Sequence, residues 1–153
     1  MKNKSGFTLI EILVSVGILA IALTSTLQIL KFLNDLTEQN NISVICTNHS
    51  EGIISAIRNL NFDDVISAYD GRTFTIPELT ALNINHSGLI RANEIEANFL
   101  IRVKVVVCYQ QKNRFFGEDI NFNNLLDSGE DLNNNGEIDS PCTFETVIVD
   151  TER

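Results

Sequence analysis

A segment rich in aspartate and asparagine repeats itself after 12 residues near the C-terminal end of the chain. The recurring residues are Asp119, Asn121, Asn123, Asp127 and Ser128, which return as Asp131, Asn133, Asn135, Asp139 and Ser140. Carboxylate and amide oxygens at alternate positions of a tightly turning loop are the ligands that Ca²⁺ takes in proteins. The spacing therefore predicts a calcium-binding segment, with Ca²⁺ as the expected cofactor.

Loop one, residues 119–130, offers a complete set of oxygen ligands for such an ion. The candidates are Asp119, Asn121, Asn123, the Leu125 carbonyl, Asp127 and Glu130. Asn124 stands where these loops usually have glycine for the sharp turn, and asparagine is the next most tolerant residue there.

Loop two, residues 131–142, has Gly136 at the turn but Cys142 where the bidentate acid belongs. Its candidate ligands are Asp131, Asn133, Asn135, the Glu137 carbonyl and Asp139. Glu130 or Glu137 could bridge the two loops. The alternative is a solvated acidic loop that holds no metal ion.

Two predicted strands flank this insert, which comprises residues 112–142. Residues 99–110 alternate with a period of two and are rich in β-branched side chains, which predicts a strand. One face carries Phe99, Ile101, Val103, Val105 and Val107, and the other carries Leu100, Arg102, Lys104, Val106 and Cys108. Residues 143–149 predict the last strand, and shorter strands are expected at 73–76 and 89–95. An antiparallel sheet of about four strands follows from this pattern.

One long helix is predicted from Thr8 to about Leu60. Its first part is apolar all round and long enough to span a bilayer. Beyond Lys31 the pattern becomes amphipathic, which indicates a single packing partner such as the sheet. Glu11 interrupts the apolar part, and an ionisable group in a membrane segment usually has a function and a partner.

The N-terminal residues resemble the type IV prepilin signature, a short basic leader that ends in glycine and is followed by phenylalanine and a glutamate. Lys2, Lys4, Gly6, Phe7 and Glu11 match that pattern without a gap. The resemblance implies cleavage after Gly6 by a prepilin peptidase and N-methylation of Phe7. It also implies that Glu11 meets the α-amine of a neighbouring subunit during assembly.

The resemblance implies an α+β, pilin-like fold, in which a long N-terminal helix packs on a small antiparallel sheet. The expected parts are a leader at 1–6, a membrane and polymerisation segment at 7–33, and an extracytoplasmic globular domain at 34–153. The leader lysines place the N-terminus in the cytoplasm, because positive charge stays on that side. We expect a single-pass inner-membrane protein that moves into a pilus or pseudopilus on assembly.

A minor role in the filament is favoured by one departure from the family. Major pilins commonly carry a proline in the membrane half of the helix, at the position occupied here by Gln28. Its absence is more similar to minor pilins and pseudopilins. The expected partners are other pilin subunits, bound through the N-terminal helix.

Three cysteines leave one unpaired residue if a disulfide forms. Cys108 and Cys142 bracket the insert, and pilins often carry a disulfide near the C-terminus. A bond between them would close a loop of about 35 residues and stabilise the fold by about 4 kcal/mol in the chain-entropy model. Cys46 is expected to be a buried small residue on the helix, with pairing to another subunit left open.

The net charge of −9 excludes broad nucleic-acid binding, which needs clustered lysine and arginine. No metalloprotease, nucleophile-elbow or P-loop motif occurs, so no catalytic residues and no enzyme activity are expected. The leading interpretation is a structural filament subunit. Two alternatives are a binding module at the filament tip, such as an adhesin, and a membrane-anchored extracytoplasmic Ca²⁺-binding protein that never polymerises.

Overall fold

The computed structural model describes residues 8–97 and 99–150. Its elements are α1 (Leu9–Arg58), α2 (Asp64–Tyr69), β1 (Thr73–Phe74), α3 (Pro77–Ala81), β2 (His86–Glu96), β3 (Leu100–Gln111), β4 (Arg114–Phe116) and β5 (Cys142–Val149). They belong to two compact units, Met1–Asn40 and Asn41–Arg153. The predicted long helix is confirmed.

The first unit contains the apolar part of α1. Each residue from 8 to 34 is exposed, and this helix is long and apolar enough to cross a membrane by length and composition. The few hydroxyl side chains donate to main-chain carbonyls about one turn earlier, as for Ser15 to Glu11 (2.7 Å) and Thr26 to Ala22 (2.8 Å). Thr24 and Ser25 bond Ile21 in the same way. Polar groups in this segment therefore find partners within the helix itself.

The second unit is built around β3. One edge of β3 pairs with β2 over almost its whole length, and β1 extends the sheet beyond β2. The other edge pairs first with β5 and then, near Gln111, with the short β4. All pairs are antiparallel. The small antiparallel sheet predicted from the strand pattern is confirmed, with β4 as an additional strand.

The alternation predicted for β3 is also confirmed, and it separates two apolar layers. Val103, Val105 and Val107 are fully buried beneath residues of the second half of α1, including Cys46 and Ile57. This packing of an amphipathic helix on the sheet gives the α+β arrangement expected from the sequence.

The part of the insert between β4 and β5 covers the opposite face of the sheet. Val106 and Cys108 of β3 are buried there against Ile138, with Phe122 and Leu126 packed around them. The insert is thus a third layer with its own apolar contacts, because two aliphatic side chains and one aromatic ring anchor it to the sheet.

The predicted disulfide between Cys108 and Cys142 is not confirmed, because both thiols are free in this structure. In the register of β3 with β5, Cys142 stands opposite Val107 and not opposite Cys108. Neighbouring residues on a strand point to opposite faces. Cys142 therefore lies in the layer beneath α1, whereas Cys108 lies beneath the insert.

Candidate functional site

Loop one of the insert is organised around the buried carboxylate of Asp119, which is only 1% exposed. The Ser87 hydroxyl on β2 donates to it at 2.6 Å. The main-chain N–H groups of Asn123 and Asn124 donate to its two oxygens at 3.0 and 2.9 Å. Asp119 therefore fixes the loop to the sheet and closes its turn.

Loop two repeats this turn with Asp131 at the centre. The N–H groups of Asn135 and Gly136 donate to its two oxygens at 3.1 and 2.9 Å. Gly136 has a left-handed φ of 75°, and Asn124 adopts nearly the same φ of 62° in loop one. Asparagine can adopt this conformation at modest cost. The sequence repeat is therefore also a repeat of backbone conformation.

Glu130 closes loop one, as its predicted position at the end of the ligand set requires. It is 7% exposed. Its two oxygens accept the N–H groups of Ile120 and Asp127, both at 3.0 Å. Glu130 thereby joins the start of the loop to its far side.

Glu118 closes loop two in the same way, although it is not among the ligands predicted from the sequence. It is 5% exposed, and its oxygens accept the N–H groups of Leu132 and Asp139, both at 3.0 Å. Cys142, which occupies the equivalent position in the sequence frame of loop two, lies instead beneath α1. Glu118 is thus a buried acid at the closing position of loop two, where the sequence has Cys142.

A signal for Glu118 is present in the sequence. The triplet that starts at Gly117 recurs 12 residues later from Gly129, so that Glu118 is the repeat partner of Glu130. When the 12-residue repeat is counted from Asp119, Glu118 falls just outside it, and its correspondence with Glu130 is not seen. Gly117 and Gly129 both adopt left-handed φ values, of 111° and 93°, which aim the following glutamates back into the insert.

The remaining predicted ligands are also brought together within their loops. Asp127 and Asp139 each accept hydrogen bonds from the side-chain amides of two asparagines. Asn123 and Asn135 each accept the main-chain N–H of the residue whose carbonyl was predicted to be a ligand. The donor–acceptor pairs are Asn121 and Asn123 to Asp127, Asn133 and Asn135 to Asp139, Leu125 to Asn123, and Glu137 to Asn135. In the part of the chain that the structure describes, no three His, Cys, Asp or Glu side chains converge to hold a metal ion. The oxygen sets of both loops combine carboxylates with amides and carbonyls.

Two basic residues of β3 distinguish loop two from loop one. The Lys104 side chain is only 7% exposed and pairs with Glu137 at 2.8 Å and with Asp139, while Arg102 pairs with Glu137 at 2.7 Å. The hydrogen bonds from Lys104 lower the pKa of both Glu137 and Asp139. Among the described residues, no ion pair involves Asp127, the loop-one counterpart of Asp139. Loop two is therefore partly neutralised by the protein.

At the N-terminus, Glu11 forms a local capping arrangement with Thr8. The Thr8 N–H and hydroxyl donate to Glu11 Oε2 at 2.8 and 2.9 Å, and the Glu11 N–H donates to the Thr8 hydroxyl at 3.4 Å. This is a capping box, which satisfies N–H groups that a helix start leaves without partners. The predicted processing residues Gly6 and Phe7 lie outside the described residues.

Comparison with known families gives one match, to the prokaryotic N-terminal methylation motif, over residues 1–27. The whole chain gave no match to curated proteins or to solved structures. The motif and the apolar helix that begins within it support a type IV pilin-like structural subunit and a membrane-anchored precursor that ends in a filament. They point to a structural subunit rather than to an enzyme.

Proposed function

We propose that this chain is a minor type IV pilin or pseudopilin, a low-abundance subunit that assembles into or initiates an extracytoplasmic filament. The observation that carries the proposal is the methylation motif at 1–27, which includes the start of a helix whose apolar residues are exposed. Exposed apolar side chains of this number need lipid or neighbouring helices, because leaving them in water is costly. The absence of proline at Gln28 favours the minor role.

The assembly step follows from the position of Glu11. In lipid its carboxylate has only the Thr8 cap as a partner among the described residues. In a helical bundle, the α-amine of a processed neighbour would add a charged partner in a medium of low dielectric constant. The difference between these environments favours assembly over the anchored state.

The experiment is mass spectrometry of the protein extracted from membranes and from sheared filaments. The expected chain begins at methylated Phe7 and is present in both fractions. A matched Gly6→Val variant should keep its leader, since a bulky residue then stands at the cleavage junction. An intact Met1 terminus in cells that contain the peptidase would contradict the proposal.

We also propose that the insert binds Ca²⁺ and that the ion stabilises it. Loop one would hold the ion through Asp119, Asn121, Asn123, the Leu125 carbonyl, Asp127 and Glu130. Loop two would use Asp131, Asn133, Asn135, the Glu137 carbonyl and Asp139, with Glu118 as its closing acid. The support is the equal geometry of the two loops and the buried glutamate that closes each one.

A role as a binding module at the filament tip is the second candidate. It is favoured by two large apolar side chains that the insert exposes, Leu125 (61%) and Leu132 (74%). They belong to the proposed metal loops themselves, so a ligand bound there would contact both the ion and an apolar surface. Leu125→Ser with Leu132→Ser would abolish adhesion or uptake by intact filaments under this role and would leave filament assembly unchanged.

A further inference from the structure

Cys46 and Cys142 meet in the layer between α1 and the sheet, although almost the whole second unit separates them in sequence. Cys46 lies on α1 and is 0% exposed, and Cys142 is the first residue of β5 and is 2% exposed. Both belong to one apolar cluster with Val107 and Tyr109. Each thiol is the largest influence on the pKa of the other, as expected of neighbours within this cluster. Two buried cysteines that share one apolar cluster are placed to form a bond.

Cys108 is held apart from this pair. It lies on the opposite face of β3, in the cluster that the insert covers. Its sulfur packs against Gly117, where a side chain would collide with it. The sheet therefore separates Cys108 from both other cysteines.

The two environments also differ in thiol chemistry. Contact with the Cys46 thiol lowers the pKa of Cys142 to about 7, and the Ser43 hydroxyl adds to this effect. The same contact, together with burial, raises the pKa of Cys46. Burial raises the pKa of Cys108 to about 11.

We propose that Cys46 and Cys142 form an intramolecular disulfide that ties α1 to β5, and that Cys108 stays a free thiol. The inference rests on the proposed function, which places this domain in an oxidising compartment. It replaces the pairing across the insert that the sequence suggested. The bond would fix the helix to the last strand of the sheet by a covalent link.

The oxidant is a disulfide of the compartment, either a thiol oxidoreductase or a small-molecule disulfide. The Cys142 thiolate attacks one sulfur of that disulfide and releases the other as a thiolate, which leaves a mixed disulfide on Cys142. The Cys46 thiolate then attacks Cys142 Sγ and releases the second thiolate. Two protein thiols are oxidised, the donor disulfide is reduced to two thiols, and the protons lost by the cysteines pass to the released thiolates. Because both cysteines are buried in the folded chain, the exchange takes place before folding is complete.

The test is peptide mapping of the full-length protein, trapped with an alkylating reagent in denaturant and digested with trypsin without reduction. The three cysteines fall on separate tryptic peptides, residues 32–58, 105–112 and 115–153. The expected map shows 32–58 linked to 115–153 and an alkylated 105–112. A link between 105–112 and 115–153, or three alkylated cysteines in a domain shown to be outside the membrane, would overturn the proposal.

Two variants and one further arm make the result decisive. Cys108→Ser should keep the link, and Cys46→Ser should leave Cys142 alkylated. Protease applied from outside to cells reports separately whether the domain is extracytoplasmic. If it is not, the proposed function fails, and oxidative refolding of the detergent-solubilised full chain with glutathione disulfide decides the pairing. Formation of any pair other than Cys46 with Cys142 in that arm, or of none, would overturn the inference.

Discussion

Glu118 and Glu130 accept equivalent pairs of main-chain N–H groups, each at 3.0 Å, in the two halves of the insert. Glu130 ends the loop that it closes, whereas Glu118 precedes loop one and closes loop two. The Glu118 carboxylate therefore links the start of the insert's two loops to Asp139 at their end. The insert is therefore one interlocked structure, in which disturbing one loop disturbs the other.

Replacing Glu118 with glutamine should destabilise the second unit even without metal. A glutamine has one acceptor oxygen, so one of the N–H groups of Leu132 and Asp139 would lose its partner. These hydrogen bonds are part-buried, so the loss of one should cost about 1 kcal/mol. Urea denaturation in chelator should show this loss for Glu118→Gln and a similar loss for Glu130→Gln.

The matched control for these two variants is Glu94→Gln, an exposed residue on β2. Its denaturation midpoint should equal that of the unmodified chain. The double variant of Glu118 and Glu130 should lose less than the sum of the single losses, since neighbouring sites in one network are not additive. Full additivity would show that the loops behave independently.

Calcium should raise the melting temperature of the detergent-solubilised chain relative to chelator. Binding to the folded state adds about 2.7 kcal/mol at a hundredfold excess over Kd. Asp119→Ala should remove most of this gain, because loop one carries no competing lysine. Asp131→Ala should remove less, since Lys104 already neutralises Asp139 in loop two.

Each variant is compared with its own melting curve in chelator, because Asp119 also holds Ser87 and Asp119→Ala will lose stability for that reason. Mg²⁺ should replace Ca²⁺ poorly, as it requires a smaller octahedral site. If Ca²⁺ addition gave no calorimetric heat and left the melting curve unchanged, the insert would be a structural layer that binds no metal.

Lys104→Met should lower stability at neutral pH by about 1–2 kcal/mol, a figure reduced from that of fully buried pairs because Glu137 and Asp139 are partly exposed. Lys104 lowers the pKa of both acids below their ordinary values of 4.5 and 3.8. Their contribution is therefore complete above those values and is lost as the pH falls through the lowered pKa values. Stability curves of the two proteins should converge in that acid range, while Arg114→Met, an exposed change, should follow the unmodified chain throughout. Curves that stay parallel down to the lowest pH would refute the role assigned to Lys104.

Glu11→Ala should leave cleavage largely intact but reduce incorporation into filaments. The comparison variant is Thr8→Val, which removes the capping hydroxyl and keeps the carboxylate; loss of a cap costs about 1 kcal/mol. If Glu11 acts by pairing with a neighbour's amine, Thr8→Val should still assemble. Immunoblots of sheared filaments measure both. Normal incorporation of Glu11→Ala would disprove the pairing, and equal loss in both variants would assign Glu11 to capping alone.

Periodicity predicted the helix and the main strands well. The spacing of valines in β3 is the same in sequence and structure, because alternation is fixed by the geometry of an extended chain. The short β4 has only three residues, too few for a period to show. Its pairing with the end of β3 depends on a turn at Lys112, whose φ of 56° no pattern indicated.

The residues of the candidate site could be selected from the repeat in the sequence, but the way in which each loop closes could not. Glu118 closes a loop that begins 13 residues later, at Asp131, and such a return depends on how the insert folds over the sheet. The predicted pairing of Cys108 with Cys142 is unconfirmed for a different reason. The alternation of β3 already placed Cys108 on the face away from Val107, but the strand that faces Val107 and its register could not be read from spacing alone.

The hydroxyl side chains of the first half of α1 affect how this segment moves between lipid and a bundle of helices. The hydroxyl groups of Ser15, Ser25 and Thr26 each donate a hydrogen bond to a main-chain carbonyl of their own helix. These bonds would stay intact if the segment moved from lipid to a bundle of helices. They would also stay intact on the way back, so no hydroxyl would be left without an acceptor. We therefore expect the hydroxyl groups of this segment to be satisfied in either environment, so that its partition depends on apolar contact and on the charged side chains of Glu11 and Lys31.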